Sequence, residues 1–209
     1  MGENGELRCT VTALQPQRGR LYKVTWDDGT EQEVYRPTWE AAGCGVGDSM
    51  TQEERELLLS RAAEERGREY ALWLLSRRDY AETELKRKLR DKVGAEAADG
   101  ASRRMTELGL VNDERYAVRL ARELCLRKHY PRRRAEEALR QKGIDRETAE
   151  AAVEEVGSED AEQALALLHK KCYTVPREEI ARRKLLDSLV RYGFSYETAR
   201  EAMQAAEGE

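Results

Sequence analysis

The chain has two histidines, His129 and His169, each with a cysteine at helical spacing: Cys125 before the first, Cys172 after the second. Two Cys/His pairs are the raw material of a four-ligand zinc site. The competing reading is apolar. Both cysteines fall at equivalent points of a repeat, on a helix face where a thiol acts as a small hydrophobe. The apolar reading is preferred, and no metal and no cofactor are expected. Carboxylates are plentiful but alternate with Arg and Lys along helical stretches. That is the pattern of solvated faces and i,i+4 pairs, not of a catalytic dyad. No Walker A, GxGxxG, GxSxG or HExxH pattern occurs. The expectation is a protein that is not an enzyme.

The chemistry that does stand out is cationic. Residues 76–92 carry a net charge of +3, residues 127–142 of +5 and residues 168–191 of +4, while residues 145–163 carry −7. The total is only −4 at pH 7. The excess therefore recurs locally rather than coating the chain. Basic patches at equivalent places attract a polyanion or an acidic protein groove. The second patch is the most basic. Its candidates for partner contact are Lys128, Arg132, Arg133, Arg134, Arg140 and Lys142, with Arg87 and Lys88, then Arg182 and Arg183, as outer contacts. At about 100° per residue, Arg132 to Arg134 fan around a helix. Arg133 and Arg140 share a face, and Arg132 lies nearer the face of Glu136. Tyr80, Tyr130 and Tyr173 stand just before the basic helices. Such rings can stack on bases, but packing a helix turn is the preferred role.

The elements that position these residues divide into two kinds. Ala, Glu, Lys, Arg and Leu make up 16 of the first 50 residues but 101 of the remaining 159. The early part reads as β, over residues 1–48. Leu7, Cys9, Val11 and Ala13 alternate with polar residues, as do Tyr22, Val24 and Trp26. Asp28-Gly29 is expected to supply two left-handed residues of a tight hairpin turn, and Thr30 to Tyr35 returns. This predicts a three-stranded segment packed on helices. Arg36-Pro37-Thr38 opens a short helical turn.

From Thr51 the period is helical. A long helix ends at Tyr70–Leu75, followed by breaks at Arg78–Tyr80, Gly94 and Gly109. The three-helix pattern recurs: Leu139, Gly143 and Val153 map onto Leu189, Gly193 and Met203 at an offset of 50, and Ala71, Ala117 and Ala164 recur at 46 and 47. Such a period marks a helical-repeat array. Three repeats are predicted at 51–112, 113–157 and 158–209, with a glycine closing helices and Asp145 and Ser195 as N-caps. No apolar run is long enough to span a membrane, and the N-terminus lacks the order of a signal peptide. With no CxxC pair, the cysteines read as reduced thiols of a cytoplasmic protein.

Three stretches, RRDYAETELKRKL (77–89), ELGLVNDERYA (107–117) and YPRRRAEEALRQKGI (130–144), resemble the RecX family of bacterial recombinase regulators. Leu108, Gly109, Asn112, Asp113, Tyr116 and Ala117 stand at the family's junction. Pro131, Arg132, Arg133, Leu139, Lys142, Gly143 and Ile144 stand in its basic segment. The departures are His129-Tyr130 before the proline, the small Ala135, and about three extra residues after Cys172. The resemblance covers about residues 68–157 well and the third repeat more loosely. It implies a mostly α protein of tandem three-helix repeats in an elongated, curved array, acting without catalysis. The implied partner is RecA: the protein would lie in the groove of the RecA filament on single-stranded DNA, and hinder filament growth, ATP hydrolysis and strand exchange. A monomer is expected. The alternative is a helix-turn-helix-like protein that binds nucleic acid directly.

Overall fold

The computed structural model describes residues 8–171 and 175–208. Leu7, Cys172 and Tyr173 lie outside them. Four strands come first: β1 (Arg8–Gln17), β2 (Leu21–Trp26), β3 (Glu31–Tyr35) and, after the short helix α1 (Arg36–Ala41), β4 (Ser49–Thr51). They form an antiparallel sheet in the order β3-β2-β1-β4. The sheet thus has one strand more than expected, and that strand lies beyond residue 48. Three residues are too few to show alternation. Met50 is recruited by pairing with Cys9 and shares the buried cluster of Val11, Val24, Trp26, Val34 and Trp39.

The β2–β3 turn also differs from expectation. Gly29 has φ +79°, but Asp28 is not left-handed. Trp26 N–H bonds to Thr30 O, so the loop is three residues, Asp27-Asp28-Gly29, with one left-handed position. The Asp28 carboxylate holds it by accepting from Thr30 N–H at 2.7 Å. Beneath the sheet, Arg55 is 6% exposed. It lies 4.3 Å from the Trp26 ring centroid and donates to Asp28, Thr30 and Gln32.

Among the described residues, every element after β4 is helical: α2 (Gln52–Leu75), α3 (Glu82–Val93), α4 (Ala95–Glu107), α5 (Asp113–Arg122) with a π turn at Glu123–Arg127, α6 (Arg132–Gln141), α7 (Arg146–Val156), α8 (Asp160–Lys171), α9 (Glu179–Tyr192) and α10 (Tyr196–Glu207). Thr51 opens α2 with a full capping box to Glu54. Asn112, Asp145 and Ser195 accept from the N–H groups of Arg115, Thr148 and Thr198, so all three act as N-caps. Gly109, Gly143 and Gly193 are left-handed, with φ of +68°, +91° and +120°.

The chain forms two compact units. One runs to Asp79 and takes in Leu85–Val111; the other comprises Tyr80–Glu84 and the chain from Asn112. In the first, α2 packs on α4, where Gly67 comes close to Ala101. In the second, α5 packs on α7 and α8 on α10. Ala71, Ala117 and Ala164, matched by sequence offset, are all fully buried, as are Leu139 and Val153; Leu189 and Met203 are nearly so. The small Ala135 is also fully buried.

Candidate binding surface

Helix α6 is built so that its apolar stripe, Ala135 and Leu139, faces the core and its arginines fan outward. The structure then sorts the basic candidates by what they already hold. Arg134 is bound within its own unit. Its guanidinium sits 4.0 Å from the Tyr130 ring centroid and 4.2 Å from that of Tyr192, and donates to the Tyr192 carbonyl at 2.6 Å. Tyr192 in turn donates its hydroxyl to Lys128 O at 2.5 Å. This cluster ties α6 to α9, so Arg134 is a structural residue first.

Arg132 is likewise held. Its backbone N–H donates to Asp160 and its guanidinium pairs with Glu154, which keeps its pKa above the ordinary value. Arg182 pairs with Glu207. Lys128 pairs with Glu123 at 2.9 Å, and that carboxylate raises its pKa. Lys142 lies 4.0 Å from the buried Glu84. Arg140 makes an exposed i,i+3 pair with Glu137 at 2.5 Å. Arg133 is exposed, and among the described residues it has no ion pair; the same holds for Arg87 and Arg183, and for the half-buried Lys88. Arg87 and Lys88 belong to the first unit, the others to the second.

The residues weighed for other chemistry are also placed. Cys125 is fully buried in the α5–α7 core, and burial pushes its thiol pKa up. His129, left-handed at φ +56°, sets Nδ1 3.0 Å from Gln163 Oε1. Tyr80 is 6% exposed, and Tyr130 carries Arg134 on its ring and Tyr192 against its edge, so both pack the fold. Sequence reasoning placed Asp113 in the family junction but missed that it and Asp160 cap other helices, their carboxylates accepting from the N–H groups of Glu82 and Arg132. The signal was present: they recur at the same offset of 47 as Ala117 and Ala164. It also missed the exposed Trp73 at the end of α2.

Repeated three-helix domains with outward-facing cations on the middle helix define a class of helical-repeat architecture, and such an architecture alone does not fix a function. Comparison with known proteins makes the class specific. Residues 68–101 match the model of the first three-helix domain of RecX and residues 112–153 that of the second. The chain is 36% identical over 144 residues to the regulatory protein RecX of Vibrio cholerae serotype O1 (strain M66-2), covering 68% of this chain and 94% of that one. To that of Chlorobaculum tepidum it is 30% identical over 143 residues, 68% of this chain and 88% of the relative. A crystal structure of a regulatory protein RecX shares the fold, with a TM-score of 0.63 and 20% identity over 94% of this chain and 99% of that one. RecX from Lactobacillus salivarius also shares it, with a TM-score of 0.58 and 24% identity over 69% and 96% of the two chains. The chain belongs to the RecX family of regulatory proteins. Among the described residues, no helix is long and apolar enough to cross a membrane.

Proposed function

We propose that this protein regulates RecA as an inhibitor. It lays its basic helical faces into the groove of the RecA–DNA filament and slows filament growth, ATP hydrolysis and strand exchange without catalysing a reaction. The observation that carries the reading is the state of α6. Its apolar face is filled, and Arg134 and Arg132 are held internally. Arg133 projects exposed, with no ion pair among the described residues, and Arg140, on the same face seven residues on, makes an exposed pair to Glu137. An exposed pair of that kind is worth little and exchanges readily for a partner's carboxylate or phosphate. Arg87, Lys88 and Arg183 supply further cations on α3 and α9 that have no ion pair among the described residues.

The test is RecA ATPase on single-stranded DNA, titrated with wild-type protein and with Arg133→Ala/Arg140→Ala at several salt concentrations. The double variant should fold normally, inhibit at least about tenfold less well, and show a shallower salt dependence, because contacts made by desolvated charges typically cost about 2–5 kcal/mol when truncated. Wild-type inhibition by the folded double variant would remove the α6 face from the mechanism. The same cations suit nucleic-acid phosphates, so anisotropy on DNA without RecA separates the two targets. Tight DNA binding with no effect on RecA would replace this reading by the direct one.

A further inference from the structure

Tyr70 and Trp73 stand three residues apart on one stripe at the end of α2, and Arg77 follows four residues on, in the turn after the helix. The Tyr70 and Trp73 rings are stacked, with centroids 5.6 Å apart and planes 13° from parallel. The Arg77 guanidinium lies 4.6 Å from the Trp73 centroid. Trp73 is thus in contact with a ring one turn before it and with a cation from the turn after the helix. It is nonetheless 48% exposed, whereas Trp26 and Trp39 are each 1% exposed. A half-exposed tryptophan beside tyrosine and arginine has the composition of a protein-binding hot spot.

Beside this ladder lies a cavity of about 330 Å³ lined by Tyr35, Arg66, Glu69, Tyr70, Trp73 and Lys92. It adjoins a second, of about 290 Å³, that shares Tyr35, Arg66 and Lys92. Leu59, Ala63 and Val93 extend the apolar floor there. Two acids stand in the walls, Glu33 and Glu69, and Glu69 accepts from the Tyr35 hydroxyl and pairs with Arg20. Arg66 has only a long contact to Glu33, at 3.9 Å. Lys92 is exposed and, like Arg77, has no ion pair among the described residues. The acids of the two walls are thus matched within the unit, and Lys92 with the neighbouring Arg77 is left without an ion pair among the described residues along an apolar groove.

We propose that this groove of the first unit docks an acidic protein segment carrying an apolar side chain. The apolar side chain enters between Tyr35, Tyr70 and Trp73, and flanking carboxylates reach Lys92, Arg66 and Arg77. Single-stranded nucleic acid fits less well. Base stacking needs an open ring face, and the Trp73 ring is already stacked by Tyr70 and overlain by Arg77. The proposal goes beyond the RecA reading, whose central observation is α6 in the other unit and whose first-unit cations, Arg87 and Lys88, line neither cavity.

The full-length protein is tested by fluorescence anisotropy with a labelled peptide, Asp-Glu-Asp-Leu-Phe-Glu-Asp-Glu. Controls are the same peptide with Ser-Ser for Leu-Phe, the peptide with Lys for every acid, and oligothymidylate. Intrinsic fluorescence is followed in parallel, since Trp73 is the one tryptophan of three open to a soluble quencher. The expected result is saturable binding of the acidic apolar peptide, protection of Trp73 from acrylamide, and at least about tenfold weaker binding of Trp73→Ala and of Lys92→Glu. Circular dichroism checks that both variants fold, and Lys92→Arg should retain binding. Absence of saturable binding, indifference to both variants, or stronger binding of oligothymidylate would overturn the proposal. RecA inhibition is a separate readout, so either reading can fail alone.

Discussion

The carboxylate of Asp113, the first residue of α5, accepts a hydrogen bond at 2.8 Å from the backbone N–H of Glu82, the first residue of α3. One repeat later Asp160, the first residue of α8, does the same for Arg132 at the start of α6, also at 2.8 Å. The residues before these helices, Ala81 and Pro131, have no side chain that can accept. A carboxylate from the next helical triple therefore caps the middle helix. Removing a cap costs about 0.5–2 kcal/mol. Asp160→Ala and Asp113→Ala should each lower stability by that order in urea unfolding. Asp113 carries a further sign. Burial pushes its pKa up, against the opposing effect of the Glu82 N–H. Its stabilising protonated form is present at low pH and lost as pH rises through the raised value. Asp113→Asn keeps an acceptor without the charge. It should be at least as stable as wild type at pH 7, with the difference shrinking as pH falls towards the ordinary aspartate range.

Arg134 is predicted to behave as a staple and Arg133 as a surface residue, although they are neighbours. Arg134→Ala removes two ring contacts and a charged hydrogen bond, and should cost about 1–3 kcal/mol in urea unfolding. Arg134→Lys should recover little, since an ammonium lacks the planar fork that lies between Tyr130 and Tyr192. Arg133→Ala should stay within about 0.5 kcal/mol of wild type.

Two left-handed glycines should respond differently to alanine. At Gly109, with φ +68° and nothing within 4 Å of an added Cβ, the cost is the backbone alone, about 1–2 kcal/mol. At Gly143, with φ +91°, a Cβ would meet Thr83 Cβ at 2.6 Å. Gly143→Ala should cost about 1–3 kcal/mol more than Gly109→Ala. Thr83→Gly in the Gly143→Ala background should recover part of the difference in thermal unfolding.

Acid should destabilise the protein through its low-pKa carboxylates. Hydrogen bonds from Thr148 hold Asp145 below its ordinary value of 3.8, Thr30 does so for Asp28, and Lys86 for Asp99. A lowered folded pKa gives stability that is present above about pH 4 and lost as pH falls through the folded value. Asp145→Asn, which preserves the cap, should flatten this loss below pH 4 in an acid titration followed by circular dichroism.

The helices, their stops and much of their buried stripe were legible in the sequence. Helical periodicity, capping residues and left-handed glycines act over a few residues, so local order is enough to read them. The offset between Ala117 and Ala164 already marked two fully buried positions, because a repeated fold presents a repeated environment. The basic character of α6 was equally plain. Which of its arginines remain available was not. Arg133 and Arg134 are the same residue type one position apart, and the approach of Tyr192, 58 residues on, helps to separate an exposed cation from a staple. The fourth strand, the aspartates that cap a helix from the next triple, and the groove beside Trp73 share that cause. Each depends on groups brought together from distant positions in the chain, and such pairing is decided when tertiary packing determines which faces meet and which remain in water.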